Sequence, residues 1–504
     1  MVGKKKLNKS EEKLIKYMYG ILLWYVVVRR LKFYNRCIAK CMDIVFDIFQ
    51  ERKYHIMFTS ILSTCICIYM AYLCVLKIER LYSLLFMCCI VVLICLLNIR
   101  HMGYIEWNVV VRSLNVYSLV ALTFFHCKYG RVFIQSIGEG IYEYLQMTKI
   151  GANFVYGNQM VGQIIFAFYI LASVYLSLLT ITLLRHCGFV HYLVELAEGI
   201  VFCIGTTPYE SVCGLLNVFL SIVETCTIMG KFLLQMTTSE IFTLCVVGIS
   251  TTSCTAMFIN TCLGADMEYL IIGNLLAVPC SFAFAKIFHP PSPQQQQLQP
   301  ATTTNSLSIQ EQEEQGITEV RKAKEPIIRP QDENDDLSIL EKISESITEG
   351  NYVVQIVIGH VIAVSSFIKC LDTFVRIVMK PFMDNMGLLQ LCIEGVKFIL
   401  PALGVPWSEV RIVAEIVVNK WLIHEFFAFD ILDRNIYNIY STRTMAMANM
   451  LCCGSGNVIF LGILTALVRF TSNGHINVNN LILKAFFCSI LVNIFCACTI
   501  SILM

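Results

Sequence analysis

GTTPYESVCGLLNVFLSIVETC, residues 205 to 226, breaks a long apolar region with Gly-Thr-Thr-Pro and places Glu210 and Glu224 among Leu, Val, Phe and Cys. A bilayer-crossing helix needs about 20 apolar residues, and a proline in mid-run breaks it. The region from about 190 to 233 is too long for one span. It reads as a helical hairpin that enters and leaves the membrane on one side. A second stretch of this kind, FILPALGVPWSEV at 398 to 410, leads into VAEIVVNKWLIHEFFAF. There Glu409 is followed by Glu425, as Glu210 is followed by Glu224. Each hairpin precedes two further spans. Paired interrupted segments in two halves are the sequence mark of a transporter built on a repeat, with its site at the repeat interface.

The rest of the chain fits a polytopic membrane protein. It has 504 residues, 57% hydrophobic and 15% charged, with a mean hydropathy of +0.67, far from soluble domains. Apolar stretches run at roughly 57 to 77, 81 to 99, 108 to 126, 165 to 185, 240 to 263, 267 to 288, 350 to 372, 442 to 468 and 479 to 504. A net charge of +2 offers no field for nucleic acid. The 24 cysteines fall mostly inside apolar runs and form no CxxC pair, and the nine histidines show no HExxH spacing, so no metal centre is expected. No GxSxG motif or paired His/Asp array suggests an enzyme. Lys4, Lys5, Lys6, Lys9, Arg29, Arg30, Lys32 and Arg36 place the N-terminus in the cytosol by the positive-inside rule. The short apolar stretch near 15 to 31 reads as an interfacial helix.

Polar residues inside the apolar runs mark the candidate site, because a carboxylate at the bilayer centre costs ~2.5 to 3.5 kcal/mol and needs a partner or a ligand. Glu224 and Glu425 either cap broken helices or pair with Lys231 and Lys420, or they contact a ligand at the hairpin tips. Asn217, seven residues before Glu224, shares its helix face. It is either a hard oxygen ligand for Na⁺ or a hydrogen-bonding partner of a neighbouring helix. ISTTSCT at 249 to 255 and CCGSGNV at 452 to 458 could bond or pack within helices, or unwind to expose carbonyls.

GANFVYG at 151 to 157, FAF at 166 to 168, GTTPYES at 205 to 211, TTSEIF at 237 to 242, PCSFAFAKIFHP at 279 to 290, GVPWSEV at 404 to 410 and HEFFAF at 424 to 429 resemble, in order and spacing, the concentrative nucleoside transporter family. The resemblance runs from about residue 57 to the C-terminus. It implies a trimer in which two re-entrant hairpins and two broken helices form a domain that moves against a scaffold. It further implies Na⁺ ligands at Asn217, Leu220, Thr251 and Thr252, mostly through backbone carbonyls. Glu425 and Asn457 match ribose contacts, with His424 in place of an Asn, and Glu224 and Ala256 fall in the substrate site. Four positions depart from the family: Ile222 and Val223 stand where Gln and Thr would bond a nucleobase, Ser455 where an aromatic would pack, and Phe460 where a Ser would bond.

The expected fold is therefore an all-α polytopic membrane protein, an inverted-repeat transporter with two re-entrant helical hairpins and broken transmembrane helices. Its regions are a cytosolic N-terminal part (1–56), N-terminal transmembrane helices with an interfacial segment (57–186), a first repeat (187–289), a Gln/Pro-rich cytosolic linker (290–336), a scaffold helix (337–386) and a second repeat (387–504). The expected activity is Na⁺-coupled nucleoside transport across the plasma membrane by alternating access. A diverged member acting as a sensor, or carrying a more apolar or ribosyl solute, is the alternative. Expected partners are nucleosides or related ribosyl solutes, Na⁺ or else H⁺, the lipid bilayer and two further copies in a homotrimer; no cofactor is expected beyond the coupling ion. The C-terminus is expected to be extracellular.

Overall fold

The computed structural model describes residues 52 to 504 apart from residues 77, 163–166, 169–170, 187–195, 198, 202, 234, 292–337, 383–385, 437–438, 440 and 472–478. The expected interfacial helix near 15 to 31, and the linker from residue 292 on, lie outside the described residues, as do the side chains of Val223 and Lys231. Among the described residues the chain is helical and contains no strand. Six stretches are long and apolar enough to cross a membrane: Arg80–Leu97, Trp107–His126, Thr238–Cys262, Met267–Phe288, Ile339–Met379 and Asn480–Leu503.

Three helices lead: α1 (Arg52–Leu76), α2 (Ile78–Leu97) and α3 (Trp107–His126). The amphipathic α4 (Lys128–Gln146) and the short α5 (Thr148–Tyr156) follow, then α6 (Ser173–His186). The first hairpin is α7 (Pro208–Phe219) with α8 (Ile222–Leu233). A broken helix comes next, α9 (Thr238–Ser250) and α10 (Cys254–Cys262), and then the continuous α11 (Met267–Phe288). Helix α12 (Ile339–Met379) opens the second half, followed by the amphipathic α13 (Leu388–Lys397). The order then repeats. A hairpin of α14 (Val410–Leu422) and α15 (Glu425–Arg434) precedes a broken helix, α16 (Thr442–Cys452) and α17 (Val458–Thr471), and the continuous α18 (Asn479–Leu503).

Local chemistry explains each interruption. Thr207 caps α7, with Pro208 in the first turn, and forms a capping box with Glu210. Thr237 and Glu240 form the same box on α9. Before α14, Gly404 takes a left-handed φ of +97° after a turn that holds Pro401. Both hairpins turn in two residues, Leu220–Ser221 and Ile423–His424. Helix α9 ends at the extended Thr251, and α16 ends at the extended Cys453.

Helices α9 and α11 are almost wholly buried and α18 largely so. Helix α3 packs along α11, and α18 packs against α9, α11 and α16. A buried ionic knot ties the base of the first hairpin into this core. Lys286 Nζ lies 2.9 Å from Glu210 Oε1 and 3.5 Å from Glu106 Oε2. The Thr243 hydroxyl donates to the same Glu210 oxygen at 2.9 Å. Helix α12 stands at the periphery. Its 41 residues span roughly 60 Å, about twice the hydrocarbon thickness. Val353 and Val357 pack on Leu171, Val174 and Leu178 of the α6 region, while Tyr352, Phe367 and Phe374 stay exposed.

Candidate functional site

The two breaks lie against each other in the core. Gly454, with φ +84°, rests on the end of α9: a Cβ there would lie 2.6 Å from Ser250 O and 2.8 Å from Ile249 O. Only glycine fits this crossing. Its N–H donates to Thr252 Oγ1 at 2.7 Å, and the Ser455 hydroxyl donates to Thr251 O at 3.4 Å. The two repeats are thus stitched together where each helix has given up its own ladder bonds.

Asn274, in the middle of α11, holds the first hairpin tip to the first break. Its Nδ2 donates to Val218 O at 2.9 Å and to Thr252 O at 2.5 Å, and its Oδ1 accepts the Thr252 N–H at 2.8 Å. These bonds bring the segment carrying Asn217 and Leu220 beside Thr251 and Thr252. Asn217 is fully buried. Its Nδ2 donates to Cys213 O at 2.8 Å, which fixes the amide orientation and leaves Oδ1 without a hydrogen-bond partner among the described residues. A buried acceptor left so costs ~1 to 3 kcal/mol. An unpaired amide oxygen beside main-chain carbonyls at a helix break suits a hard cation such as Na⁺. Asn274 was missed in the sequence, although a lone Asn inside the apolar run IIGNLLAV was the available signal.

Glu224 is a cap. Its Oε2 accepts the Ser221 N–H at 2.6 Å, and its own N–H donates to Ser221 Oγ at 3.3 Å, a capping box at the start of α8. Among the described residues no hydrogen bond engages Oε1, and the residue is half-buried. The adjacent Ile222 is 1% exposed and covers Gly248 of α9, where a Cβ would lie 2.4 Å from Ile222 Cδ1. It fills space between hairpin and broken helix.

At the second hairpin tip Glu425 and Asn457 meet. Asn457 Nδ2 donates to Glu425 Oε2 at 2.5 Å, and Asn457 Oδ1 accepts the Phe460 N–H at 2.7 Å, capping α17. His424 Nδ1 lies 3.2 Å from Glu425 Oε2 and also accepts the Phe426 N–H at 3.4 Å. Phe460, Ser455 and Ala256 are half-buried; the Ala256 N–H donates to Ser253 Oγ, the cap of α10. No hydrogen bond joins Glu224 to Glu425 among the described residues. Lys420 pairs with neither: it is fully buried and its Nζ donates to Cys453 O at 3.2 Å.

The site thus has one oxygen-rich locus at the first hairpin and one carboxylate–amide pair at the second. Residues 269–501 match the model of the Na⁺ dependent nucleoside transporter C-terminus, and residues 86–159 match that of its N-terminus. Together the two cover more than half of the chain.

This chain belongs to the concentrative nucleoside transporter family. It is a diverged member of a family of transporters, not enzymes, and a multi-pass membrane protein. Sodium/nucleoside cotransporter 2 of Rattus norvegicus is 24% identical over an alignment of 433 positions that covers 82% of this chain and 62% of that protein. Sodium/nucleoside cotransporter 1 of Homo sapiens is 24% identical over an alignment of 448 positions that covers 84% of this chain and 64% of that one. The chain therefore spans less than two thirds of the length of these curated relatives. The fold is that of CNTnw. Its inward-facing, substrate-bound structure superposes with a TM-score of 0.71 at 18% identity, covering 84% of this chain and 98% of that one. An outward-facing variant of CNTnw gives 0.72 at the same identity, covering 84% of this chain and 99% of that one.

Proposed function

We propose that the protein carries a nucleoside, or a related ribosyl solute, into the cell across the plasma membrane together with Na⁺. The observation that carries this reading is the unpaired, buried Oδ1 of Asn217, at a hairpin tip tied by Asn274 to the break at Thr252. Na⁺ would be held by Asn217 with the backbone carbonyls of Leu220, Thr251 and Thr252, joining the first hairpin to the broken helix. Glu425 and Asn457, already 2.5 Å apart, would bond ribose hydroxyls, with Glu425 accepting and the Asn457 amide donating. Glu224 Oε1 would face the base or an amine. Ile222, Val223, Ser455, Ala256 and Phe460 would shape the remaining walls without the side-chain bonds that a Gln–Thr pair would offer a nucleobase.

Alternating access is the accompanying mechanism, supported by the inward- and outward-facing structures of CNTnw. The hairpins and broken helices, cross-linked through Gly454, would move as one body against α6 and α12. The exposed apolar side of α12 would pack between copies in a homotrimer, the N-terminus would be cytosolic and the C-terminus extracellular. One Na⁺ moving down a potential of ~100 mV supplies about 2.3 kcal/mol, which supports roughly 50-fold accumulation of a neutral solute. Proteoliposomes exposed to a panel of external radiolabelled nucleosides test this reading. Uptake that requires an inward Na⁺ gradient supports it; no Na⁺-dependent uptake of any nucleoside, from protein shown to be folded, removes it.

A further inference from the structure

The two hairpins align residue by residue through their turns. Helix α7 is closed by the C-cap Leu220, whose N–H returns to Leu216 O at 2.8 Å; α14 is closed by Ile423, whose N–H returns to Asn419 O at 2.9 Å. Ser221 then caps α8 and His424 caps α15. In this register Asn217 and Lys420 occupy the same place, each three residues before its C-cap. Each is fully buried. The correspondence continues into the breaks, where Thr251 is the C-cap of α9 and Cys453 that of α16. A buried Asn of each continuous helix also bonds a break: Asn274 of α11 donates to Thr252 O, one residue past the C-cap, and Asn493 of α18 donates to Cys453 O, the C-cap itself, at 2.7 Å.

The two counterparts differ in what they offer. Asn217 presents an acceptor that no donor among the described residues meets, and so calls for a cation. Lys420 is itself the cation: its Nζ donates to the Cys453 carbonyl at 3.2 Å, at the negative end of the α16 dipole. Among the described residues no carboxylate lies within ion-pair distance of it. An ammonium on the main-chain carbonyl that ends a broken helix makes a contact that a small cation would make there. We propose that Lys420 is the tethered counterpart of the sodium ion, filling the second repeat's cation place, so that the chain binds a single Na⁺, at the first hairpin only. The inference rests on the Na⁺ reading of Asn217 given above.

Equilibrium binding of radioactive sodium to the purified full chain, without nucleoside, separates the two claims. One Na⁺ per chain with a Hill coefficient near 1 is expected. Lys420→Asn, which repeats the Asn217 chemistry, is expected to bind two Na⁺ per chain with a Hill coefficient above 1, provided the variant elutes as a single species. Two Na⁺ per wild-type chain would overturn the role of Lys420 and leave Na⁺ coupling standing. A well-folded Lys420→Asn that still binds one would overturn it as well. No Na⁺ bound to the wild type would overturn the role of Lys420 and the coupling together.

Discussion

Replacing Asn274 by leucine removes three short nitrogen–oxygen hydrogen bonds at one stroke and keeps the branching and heavy-atom count of the side chain. The bonds to Val218 O, Thr252 O and the Thr252 N–H, of 2.9, 2.5 and 2.8 Å, are all buried. Each group left unpaired costs ~1 to 3 kcal/mol. If the hairpin tip relaxes until two of the three find other partners, about one bond remains lost. At ~1.4 kcal/mol per factor of ten, the Na⁺ concentration that half-saturates the site should then rise about tenfold. With all three lost, the rise approaches a thousandfold. The assay is Na⁺-induced thermal stabilisation of the purified protein, titrated against choline at constant ionic strength. Tyr175→Phe is the control, because its 2.8 Å bond to Asn351 is exposed and joins α6 to α12; it should leave the Na⁺ midpoint where it was. An Asn274→Leu protein that folds and titrates with Na⁺ like the wild type would refute the claim that this amide assembles the ion site.

Gly454→Ala forces a left-handed φ on alanine, at about 1 to 2 kcal/mol, and drives a Cβ to 2.6 Å from Ser250 O; the melting temperature should fall and Na⁺-induced stabilisation should be lost with it. Lys286→Met strands Glu210 in the core and should destabilise by roughly 3 to 5 kcal/mol, whereas Lys286→Met combined with Glu210→Gln should recover much of the loss; equal melting temperatures for the single and double variants would contradict the ionic knot. Glu425→Gln removes a charged acceptor worth about 1.5 to 3 kcal/mol, so nucleoside affinity, read by isothermal calorimetry in saturating Na⁺, should drop roughly ten- to a hundredfold while Na⁺ binding without nucleoside persists.

The interruptions were legible because they are written in the residues that break helices. Gly205, Pro208, Pro401 and Gly404 announce the hairpins, and Gly454 and Gly456 the second break. The crossing of the two breaks was not legible. It joins Thr252 to Gly454 across some 200 positions, and nothing local to either segment specifies the other. The same holds for Asn274, whose role depends on α11 passing behind the hairpin tip. Glu224 was open to two readings, and the geometry supplies the capping one through Ser221 while leaving one oxygen for a ligand. Ile222 stands where the resemblance implies a nucleobase contact, and its packing over Gly248 of α9 emerges only in the fold. In the sequence Lys420 reads as an ion-pair partner for a nearby carboxylate, because its likeness to Asn217 emerges only once both turns are set in register. Helix α12 runs from Ile339 to Met379, well beyond the apolar stretch at 350 to 372, because its polar first turns continue as helix outside the hydrocarbon.

A carbonyl at a broken helix end is the same oxygen whichever residue carries it. Substitution at Leu220 or Thr251 leaves the main-chain oxygen in place, so the ion's share of the proposed site would be shielded from sequence drift as long as the backbone holds its path. On the proposed reading, the side chains of Ile222, Ser455 and Phe460 have no such protection, and one change there would alter what is carried. Drive and cargo can therefore diverge at different rates within one fold, and a search for the physiological solute is best run with sodium held constant and the chemistry of the solute varied widely.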